Sequence, residues 1–590
     1  MTKALRREID FMLYDWLGVE RLSELPDFEG QDRSDWDAFL DLSGEIAWNE
    51  LLPCYKAADR EEPWLDDGQV RVQPQLAQAL RVYLDAGLHQ ATARPDVGGM
   101  GLPFTIATAA TAEVMAANVA GSGFIMLSVA NTRLLTDHGT PAQIAAFARP
   151  QLEGNALGTM CLSEPDTGSS LGDVTTRAYP EDDDELGPRY RLSGRKMWIS
   201  GGDQDVTGNV IHLVLAKVVQ PDGSVIPGAK GTTLFIVPKL LPGGERNDLF
   251  VAGLNHKMGY RGTPNCLLNF GENGGATAWR LGAEGDGLRI MFDMMNEARV
   301  NVGLSGAAMA YRGFDLARQY AQERVQGRSV LDRAAERPVP IIRHPDVRRM
   351  LLVQKAIAEG ALALCLKGAF LKDAVSHAPE EAERRRMHDL LSLLTPVIKS
   401  WPSEQGLVAL HHAIQVHGGY GYTRDFDVEQ LYRDSRLNPI HEGTTGIQAI
   451  DLLGRKILSE KGESLTALLE LIRHETRTGQ GMEGEAATLL ELCDWFEEVA
   501  AFLLRGGSKG LALANATGFL EGVGHFVVAW IWLALARAAD AHPDPEFAEE
   551  KRWTCRYFYA AEVPRIRSMM ALLVSAPRLV AELPDHVVSP

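Results

Sequence analysis

Apolar positions with helical spacing dominate the first 157 residues. The stretch from Ala109 to Gly139 is Ala-rich and almost uncharged, which predicts one helix or a pair of helices buried on most faces. The loop RPDVGGMGLP, residues 94–103, precedes this stretch, and its glycines and prolines must interrupt any helix. The first region is therefore predicted to be a helical domain.

The pattern changes to short β-rich runs at residues 158–280. Runs such as RYRLSG, KMWIS, VIHLVLAKV and TTLFIVP are separated by turn clusters such as PEDDDELGP and QPDGSVIPGAKG. Strand-length runs bounded by Gly, Pro and Asp predict antiparallel β-structure. We expect a middle β-domain that is a small sandwich or a barrel.

Helical periodicity returns at residues 281–460 in three long segments, and Pro396 and Pro402 are expected to break the third or to start its turns. A polar, Gly-rich linker is predicted at 474–486. Residues 461–590 are predicted to form a further helical domain with three long apolar-faced helices. The fold class is therefore α+β and multidomain, with domains at 1–157, 158–280, 281–460 and 461–590.

Composition limits the classes of partner and site that we expect in this protein. The net charge of −19 argues against a nucleic-acid partner, because phosphates require a basic surface. Six scattered cysteines without a CxxC pair indicate reduced thiols rather than a zinc or redox site. The uncharged run Phe526–Ala536 is too short to span a bilayer and predicts a buried helix. The N-terminus lacks a signal-peptide core, so we expect a cytoplasmic protein without stable membrane insertion.

The stretch NPIHEGTTGIQ, residues 438–448, carries one carboxylate between a histidine and a Gly-Thr-Thr run. Thr444 or Thr445 is predicted to cap a helix that starts here. Glu442 then lies just outside the cap. The residues alone leave two roles open for it, an anion at a helix N-terminus or a general base.

Four other stretches could bind a ligand, although each also has a purely structural explanation. The loop within 159–178 could bind a phosphate or the rim of a flat ring, and the tryptophan in GRKMWISGG could stack on one. The glycines of HGGYGY allow close approach of a ligand to the backbone. The two arginines of ERVQGR could bind a pyrophosphate. The structural explanations are, in the same order, a turn-rich strand exit, a core tryptophan, a helix end and a favourable charge at a helix C-terminus.

Taken together, in this order and spacing, these stretches resemble the acyl-CoA dehydrogenase family. RPDVGGMGLP looks like its N-terminal glycine loop, and MCLSEPDTGS and KMWIS look like its flavin-facing strands. QVHGGYGYTRDFDVEQLYRDSR and IHEGTTGIQ are similar to its C-terminal signature. The resemblance covers residues 35–456. Total length and the C-terminal extension resemble the large bacterial branch, which includes enzymes acting on 3-(methylthio)propionyl-CoA and broad-range fatty acyl-CoA dehydrogenases.

The resemblance implies a C-terminal four-helix bundle, with FAD between it and the middle β-domain. It implies substrate contacts at Ser169, Arg299 and Gly443, and no metal. Gln415, Gly418 and Gly419 are expected to reach the FAD of a neighbouring subunit. The implied cofactor-binding residues are Met160, Leu162, Ser163, Gly168, Ser169, Trp198, Ile199, Ser200, Arg324, Gln326, Gln415, Val416, Gly418, Gly419, Thr444 and Gly446. Four positions depart from the family pattern, namely Ser170, Gly327, His441 and Gly446.

The implied reaction is α,β-dehydrogenation of an acyl-CoA to a trans-2-enoyl-CoA. Glu442 takes the α-proton and FAD N5 takes the β-hydride, while the Glu442 N–H and a flavin hydroxyl bind the thioester carbonyl. Some members place the base on another helix, at the position of Ala298; Glu297 is one residue away, about 100° round the helix. We expect desolvation to raise the pKa of Glu442 when substrate is bound.

Partners and alternatives follow from the same resemblance. Electrons are expected to pass to an electron-transfer flavoprotein. The extension, with 12 Lys/Arg against 18 Asp/Glu, is expected to cap the bundle in a homodimer, with a tetramer as the alternative. An acyl-CoA oxidase using oxygen and a nucleic-acid-binding relative are the rival functions. The sequence leaves acyl chain length open, although Gly121, Ser122 and Gly123 are expected near the pocket floor.

Overall fold

The computed structural model describes residues 2–331, 337–377, 380–505 and 509–589. Residues 33–298 form one compact unit, and residues 1–32 together with 299–590 form another. The two are described separately below. The four domain boundaries predicted from the sequence stay a prediction.

The helical part of the unit 33–298 is dominated by one long helix, Phe104–His138. Its backbone leaves the helical region at Asn118, with φ −157° and ψ 94°, so it consists of two helical segments, the second of the two alternatives that the sequence left open. The Asn118 side chain holds this break, because its amide donates to Leu51 O at 3.0 Å and its oxygen accepts from Gly121 N at 3.2 Å. The other helices of six or more residues in this part are Arg33–Ile46, Tyr55–Arg60 and Pro74–Asp85.

The β-part contains one eight-stranded sheet. Strand Ala276–Leu281 pairs with both Thr232–Pro238 and Arg189–Ser200, which closes a ring of strands and decides for a barrel. Most pairings are antiparallel, as predicted. Two are parallel, between Asn209–Val218 and the strands Ala156–Cys161 and Arg177–Pro180. The strands are Ala156–Cys161, Arg177–Pro180, Arg189–Ser200, Asn209–Val218, Thr232–Pro238, Leu249–Leu254, Asn265–Phe270 and Ala276–Leu281.

Strand Asn209–Val218 is buried on both faces, which explains its nearly unbroken apolar run. Successive side chains of a strand point to opposite faces. Val214 and Ala216 accordingly join the core cluster with Leu192 and Phe270, while Leu213 and Leu215 join the other cluster with residues of the long helix. The strand therefore lies between the barrel interior and the helical layer.

The unit 1–32 and 299–590 is helical. Its helices in the bundle region begin with Gly287–Glu323, whose first residues belong to the other unit, and continue with Pro345–His377, Glu381–His417, Val428–Ser435 and Thr445–Ile450. The last runs on as a π-helical stretch, Asp451–Leu458. The main helices of the extension are Glu463–Thr478, Glu483–Arg505, Ala516–Ala538 and Pro545–Ala561. The predicted fold class is confirmed.

Three details of the helical predictions are wrong. Helix Glu381–His417 runs through both Pro396 and Pro402. The predicted linker is partly helical, because helix Glu463–Thr478 buries Ile472 and Thr476 and only residues 479–482 separate it from the next helix. The extension has four helices of 16 residues or more where three were expected.

Pro402 is tolerated inside the helix because a glycine of another helix packs against the carbonyl that the proline leaves without its usual donor. Proline lacks the N–H that would bond the carbonyl four residues earlier, here that of Ile398. Gly303 packs on that carbonyl so closely that a Cβ would lie 2.0 Å from Ile398 O. Gly306 and Gly406 meet one turn further on, where a Cβ on Gly406 would lie 2.9 Å from Gly306 O. This crossing brings Arg299 and Lys399 towards the same region of the bundle.

The extension packs on the bundle through helix Ala516–Ala538, which is buried along most of its length. The prediction of a buried helix at 526–536 is confirmed. Gly524 faces the Trp401 ring, and a Cβ there would lie 2.5 Å from Cδ1. The Trp401 indole N–H donates to His525 Nδ1 at 3.1 Å. Lys551 of the last long helix is buried between Glu8 and Glu359, which ties the N-terminal helix to the extension.

Two helices, Phe104–His138 and Ala516–Ala541, are long and apolar enough to cross a membrane by length and composition alone. Their most apolar windows are 78% and 89% buried in the protein. Buried core helices have this same composition, so neither helix is evidence of a membrane span.

Candidate active site

Glu442 has a strained backbone. Its φ is +53° and that of Gly443 is +90°, in the left-handed region that side chains other than Gly rarely adopt. Thr444 caps the next helix, and its hydroxyl accepts from Ile447 N at 3.4 Å, which confirms the predicted cap. Such strain persists only where surrounding contacts hold it, and it concentrates at functional sites.

Three hydrogen bonds fix the segment 439–448. Gln448 Nε2 donates to the Glu442 carbonyl at 2.9 Å, and Thr445 N donates to Pro439 O at 3.0 Å. Thr445 Oγ1 donates to Glu404 Oε1 on helix Glu381–His417 at 2.5 Å. The glutamate is therefore held by the helix that follows it and by a neighbouring bundle helix.

Opposing effects act on the Glu442 carboxyl. Burial raises its pKa, and the cations of Arg299 and Lys399 lower it. The net shift is upward, so desolvation already dominates over the neighbouring cations before any substrate is added. A carboxylate whose pKa lies closer to neutral is a better general base than an ordinary glutamate.

Arg299 is buried and paired with Asp451, at 3.4 Å between Nη1 and Oδ2. Burial lowers its pKa, and Asp451 and Glu442 counteract this effect. The sequence-based prediction made Arg299 a substrate contact. The structure shows a cation that acts on Glu442 and is itself anchored by a carboxylate.

Lys399 was missed by the sequence analysis. Its side chain is fully buried, and the pKa of its ammonium is lowered to about 8 by burial, against the opposing effect of Glu404 and Glu442. A lone lysine in the apolar stretch LLTPVIKSW was the only signal. His441, one of the departures from the family pattern, has its pKa lowered to about 3, mainly by burial and then by Lys399. It is therefore neutral at physiological pH.

The alternative base position carries no carboxylate. Ala298 occupies it, and the adjacent Glu297 is in an ion pair with Arg133 of the long helix Phe104–His138. An ion-paired carboxylate is a poor base because its ionised form is stabilised. Glu442 remains the candidate.

The tryptophan predicted to stack on a flavin has a strained backbone. Trp198 has φ +66°, lies in a β-bulge between Lys196 and Ile199, and exposes 56% of its surface. A bulge re-aims a side chain out of the regular strand pattern. Met160, Leu162, Ser163 and Ser200 are half-buried, Ile199 is buried, and Gly168 and Ser169 are exposed in the loop.

Beside this tryptophan lies a buried ion pair that the sequence analysis did not predict. Lys196 Nζ donates to Glu164 Oε1 at 2.9 Å and to Leu162 O at 3.0 Å. Thr175 and Thr176 donate to the same carboxylate through backbone and hydroxyl groups. Burial raises the pKa of Glu164, but Lys196 and these hydrogen bonds lower it to about 2. The pair fixes the strand exit that carries Leu162 and Ser163.

In the other unit the structure groups several predicted cofactor residues at one helix end. Arg324 Nη2 donates to Gln326 Oε1 at 2.9 Å, and its guanidinium lies 5.9 Å from the centre of the Tyr420 ring. Gly418 and Gly419 have no atom within 4 Å of a built Cβ, and Gln415 is exposed while Val416 is buried. Thr444 and Gly446 are exposed at the start of helix Thr445–Ile450. These groups leave open backbone and the exposed Arg324 guanidinium for a ligand.

Comparison with known proteins identifies the family. Residues 159–272 match the family model "Acyl-CoA dehydrogenase, middle domain", and residues 285–458 match "Acyl-CoA dehydrogenase, C-terminal domain". The chain is 35% identical to the 3-methylmercaptopropionyl-CoA dehydrogenase of Ruegeria pomeroyi, over 92% of this chain and 93% of the relative. The chain belongs to the acyl-CoA dehydrogenase family.

Two further comparisons extend the match over the whole length. The broad-specificity linear acyl-CoA dehydrogenase FadE5 of Mycobacterium tuberculosis is 31% identical over 98% of this chain and 97% of its own. Residues 465–584 match the family model "Acetyl-CoA dehydrogenase C-terminal like". The solved acyl-CoA dehydrogenase of Bacillus anthracis, complexed with FAD, has the same fold, with a TM-score of 0.71 at 19% identity, covering 96% of this chain and 94% of that one.

The residues present fit the FAD that acyl-CoA dehydrogenases use. The exposed Trp198 indole offers a face for a flat ring, and its strained backbone shows that the fold maintains this exposure. Arg324 and the bare glycines 418 and 419 suit a pyrophosphate and a closely approaching nucleotide. The donors required for such a cofactor are therefore in place within each unit.

Sequence reasoning missed the groups that act on Glu442 from a distance in sequence. Lys399, Glu404 and Gln448 contact or polarise the glutamate loop, and none belongs to a motif whose function was predicted for it. Gln448 lies inside the quoted stretch, but its side-chain direction could not be deduced from the sequence. The Glu164–Lys196 pair joins two motifs that were predicted only as neighbours of the flavin.

Proposed function

We propose that this protein catalyses FAD-dependent α,β-dehydrogenation of an acyl-CoA thioester to a trans-2-enoyl-CoA, with Glu442 as the base. The observation that supports this most is the Glu442 carboxylate itself. It is held at φ +53° and has a raised pKa beside two cations. A carboxylate that combines a strained backbone, a raised pKa and nearby cations is typical of a positioned base rather than of a helix-capping anion.

Each protein group has its own role in the reaction. The ionised Glu442 removes the α-proton of the acyl group and becomes a neutral carboxylic acid, which its desolvated surroundings favour. The Glu442 N–H donates to the thioester carbonyl, where negative charge develops; one such donor typically contributes about 3 kcal/mol. Arg299 and Lys399 stabilise the same charge through space. Bound FAD supplies the acceptor for the β-hydride.

The cofactor and substrate contacts are proposed from the family resemblance and from the placement described above. Trp198 and the half-buried Leu162, Ser163 and Ser200 would hold the flavin, and Arg324, Gln326 and the glycines 418 and 419 would hold the pyrophosphate and adenine half. Ser169 and Gly443 would contact acyl-CoA. Arg299 would contact acyl-CoA as well and would add its charge, with Asp451 anchoring one of its nitrogens at 3.4 Å.

The wider assignments rest on the family as a whole. The two electrons pass to an electron-transfer flavoprotein, and the enzyme is a cytoplasmic homodimer with the four domains given above. The relatives differ in the substrate that their names state, a methylthio acyl-CoA in one and linear acyl-CoAs in another. Measuring turnover across linear acyl-CoAs and 3-methylthiopropionyl-CoA decides between them. Comparing peroxide formation in air with reduction of an electron-transfer flavoprotein tests the oxidase alternative.

The test of the base is Glu442→Gln, which keeps the shape of the side chain and removes its basicity. Turnover of an acyl-CoA should fall by about 10²–10⁴-fold, the usual contribution of a general base. Glu297→Gln is the matched control on the alternative helix and should keep turnover. Retained turnover in Glu442→Gln would exclude Glu442 as the base.

A further inference from the structure

Lys399 is a buried charge without a direct partner. Its side chain is fully buried, and its Nζ makes no hydrogen bond to any described residue. Burying an ammonium in this way costs free energy unless it is paired. A group that the fold keeps despite this cost is a candidate for a functional role.

The charges around Lys399 come from several elements. Glu404 lies on its own helix, Arg299 on helix Gly287–Glu323 and Glu442 on the loop before helix Thr445–Ile450, and all three act on it. Lys399 in turn acts on the neutral His441. Most titratable groups on the other packed helices have partners of their own, namely Asp451 with Arg299, Lys355 and Glu359 with the Glu8 and Lys551 group, Lys367 beside Glu475, and His525 with Trp401. Glu521 instead faces the like charge of Glu404, and burial together with Glu404 raises its pKa.

We propose that Lys399 is a positioning residue for the reaction, whose buried ammonium keeps the Glu442 carboxylate ionised in a site that burial would otherwise protonate. This deepens the proposed function and rests on it. Two cations act on Glu442, but they are not equivalent. Arg299 has the larger effect on Glu442, and it already has a counterion, Asp451, at 3.4 Å. Among the described residues Lys399 has no such ion pair within hydrogen-bond distance, so it is the cation of the two that the fold keeps without another partner.

The titrations of Glu442 and Lys399 set the pH range in which both groups are charged. Glu442 must be ionised to accept the α-proton, so activity falls as pH drops through its raised pKa. Lys399 is charged below its own pKa of about 8 and loses its charge above it. Between these limits the site holds a base and a cation together. The neutral His441 contributes no charge there.

The experiment compares the pH dependence of kcat/KM in the wild-type holoenzyme, Lys399→Met, Lys399→Arg and Lys367→Met. Lys399→Met should move the acidic limb upward by about one pH unit, the effect of removing one close opposite charge. Turnover should therefore fall most at low pH and recover on the plateau. Lys399→Arg should keep the wild-type acidic limb.

Lys367→Met is the matched control, because Lys367 is a partly buried lysine with a lowered pKa that acts with Glu475 and not with Glu442. It should leave the acidic limb in place. A readout independent of turnover is the infrared carbonyl band of protonated Glu442, identified by its absence in Glu442→Gln. In Lys399→Met this band should persist to higher pH than in the wild type.

The thermal stability of the Lys399 variants distinguishes a positioning role of this lysine from a purely structural one. Removing an unpaired buried ammonium should raise the melting temperature of Lys399→Met near neutral pH. An unmoved acidic limb in Lys399→Met, or a limb that moves equally in Lys399→Arg, contradicts the proposal. Loss of folded protein in both Lys399→Met and Lys399→Gln makes the lysine structural and contradicts it as well. Retained turnover in Glu442→Gln overturns the proposed base instead, so the two failures are distinguishable.

Discussion

The side-chain amide of Gln448 donates a 2.9 Å hydrogen bond to the main-chain carbonyl of Glu442. This bond spans the turn in which Glu442 and Gly443 both have positive φ, and it holds the backbone from which the Glu442 side chain projects. The catalytic candidate is thus oriented by the first turns of the helix that follows it.

Removing the Gln448 amide should disorganise the site more than the fold. Gln448→Leu leaves the Glu442 carbonyl without its donor, which should cost about 1–3 kcal/mol of stability. Misplacement of the base by about 1 Å should reduce kcat by roughly 10²-fold. Thermal melting and steady-state kinetics measure the two effects. Gln319→Leu, which removes an amide bonded to Asp315, is the control and should keep kcat; an unchanged kcat in Gln448→Leu contradicts the role given to this bond.

Gly443→Ala should impair the same contact from the opposite side. A Cβ on Gly443 would lie 2.7 Å from Gln448 Nε2, and its φ of +90° is unfavourable for alanine. Activity should fall at least as far as in Gln448→Leu, with a stability loss of about 1–2 kcal/mol. Gly484→Ala, at a helical position with no atom within 4 Å, should keep full activity. Equal activity of the two alanine variants would show that the turn tolerates displacement.

The raised pKa of Glu442 predicts a cost in stability at high pH. Its folded-state pKa lies above its unfolded value, so its contribution to stability is fully present below the unfolded pKa and is lost as pH rises through the folded pKa. Glu442→Gln should therefore melt at a higher temperature than the wild type near neutral pH. The difference should shrink as pH falls below about 4, where Glu442 becomes protonated in both the folded and the unfolded protein. Melting curves across this range check the sign, and a lower melting temperature at neutral pH contradicts it.

The Glu164–Lys196 pair predicts acid sensitivity of the barrel. The pKa of Glu164 is depressed to about 2, so the stability it provides is present above its unfolded pKa and is lost as pH falls towards the folded one. Glu164→Gln leaves the buried Lys196 without a counterion and should cost about 3–5 kcal/mol at neutral pH. The double variant with Lys196→Met should recover most of this loss, as measured by denaturant unfolding. No recovery would mean that the threonine hydrogen bonds, rather than the ion pair, carry the stability.

Contact between the extension and the bundle should also matter for activity. Gly524→Val places a branched side chain where a Cβ alone would lie 2.5 Å from the Trp401 ring. Overpacking of this kind should cost about 1–3 kcal/mol, and it should shift the helix that carries Lys399. Melting temperature and kcat should both fall. Gly484→Val is the control, with open space at the substituted atom, and matching kcat values in the two variants would show that the extension does not influence the site.

Local sequence was sufficient where short-range geometry decides the structure. The cap at Thr444, the long helices and the strand runs were predictable, because capping and hydrophobic periodicity depend on neighbours in sequence. The error at Pro402 has a tertiary origin, since Gly303 of another helix packs on the carbonyl that the proline frees. The error at the linker has the same origin, since Arg473 in the preceding turn pairs with Asp494 and Glu497 of the next helix.

The sequence by itself determined the order of helical and β regions and the capped turn before helix Thr445–Ile450. The residues around Glu442 left its role open between a helix N-terminal anion and a base, and the resemblance to a known family made it the candidate base. Only the tertiary structure decided the direction in which the pKa of that base is shifted. Lys399, Arg299 and Glu404 come from helices distant in sequence, and burial and Coulomb interaction depend on distance in space, which no local pattern encodes.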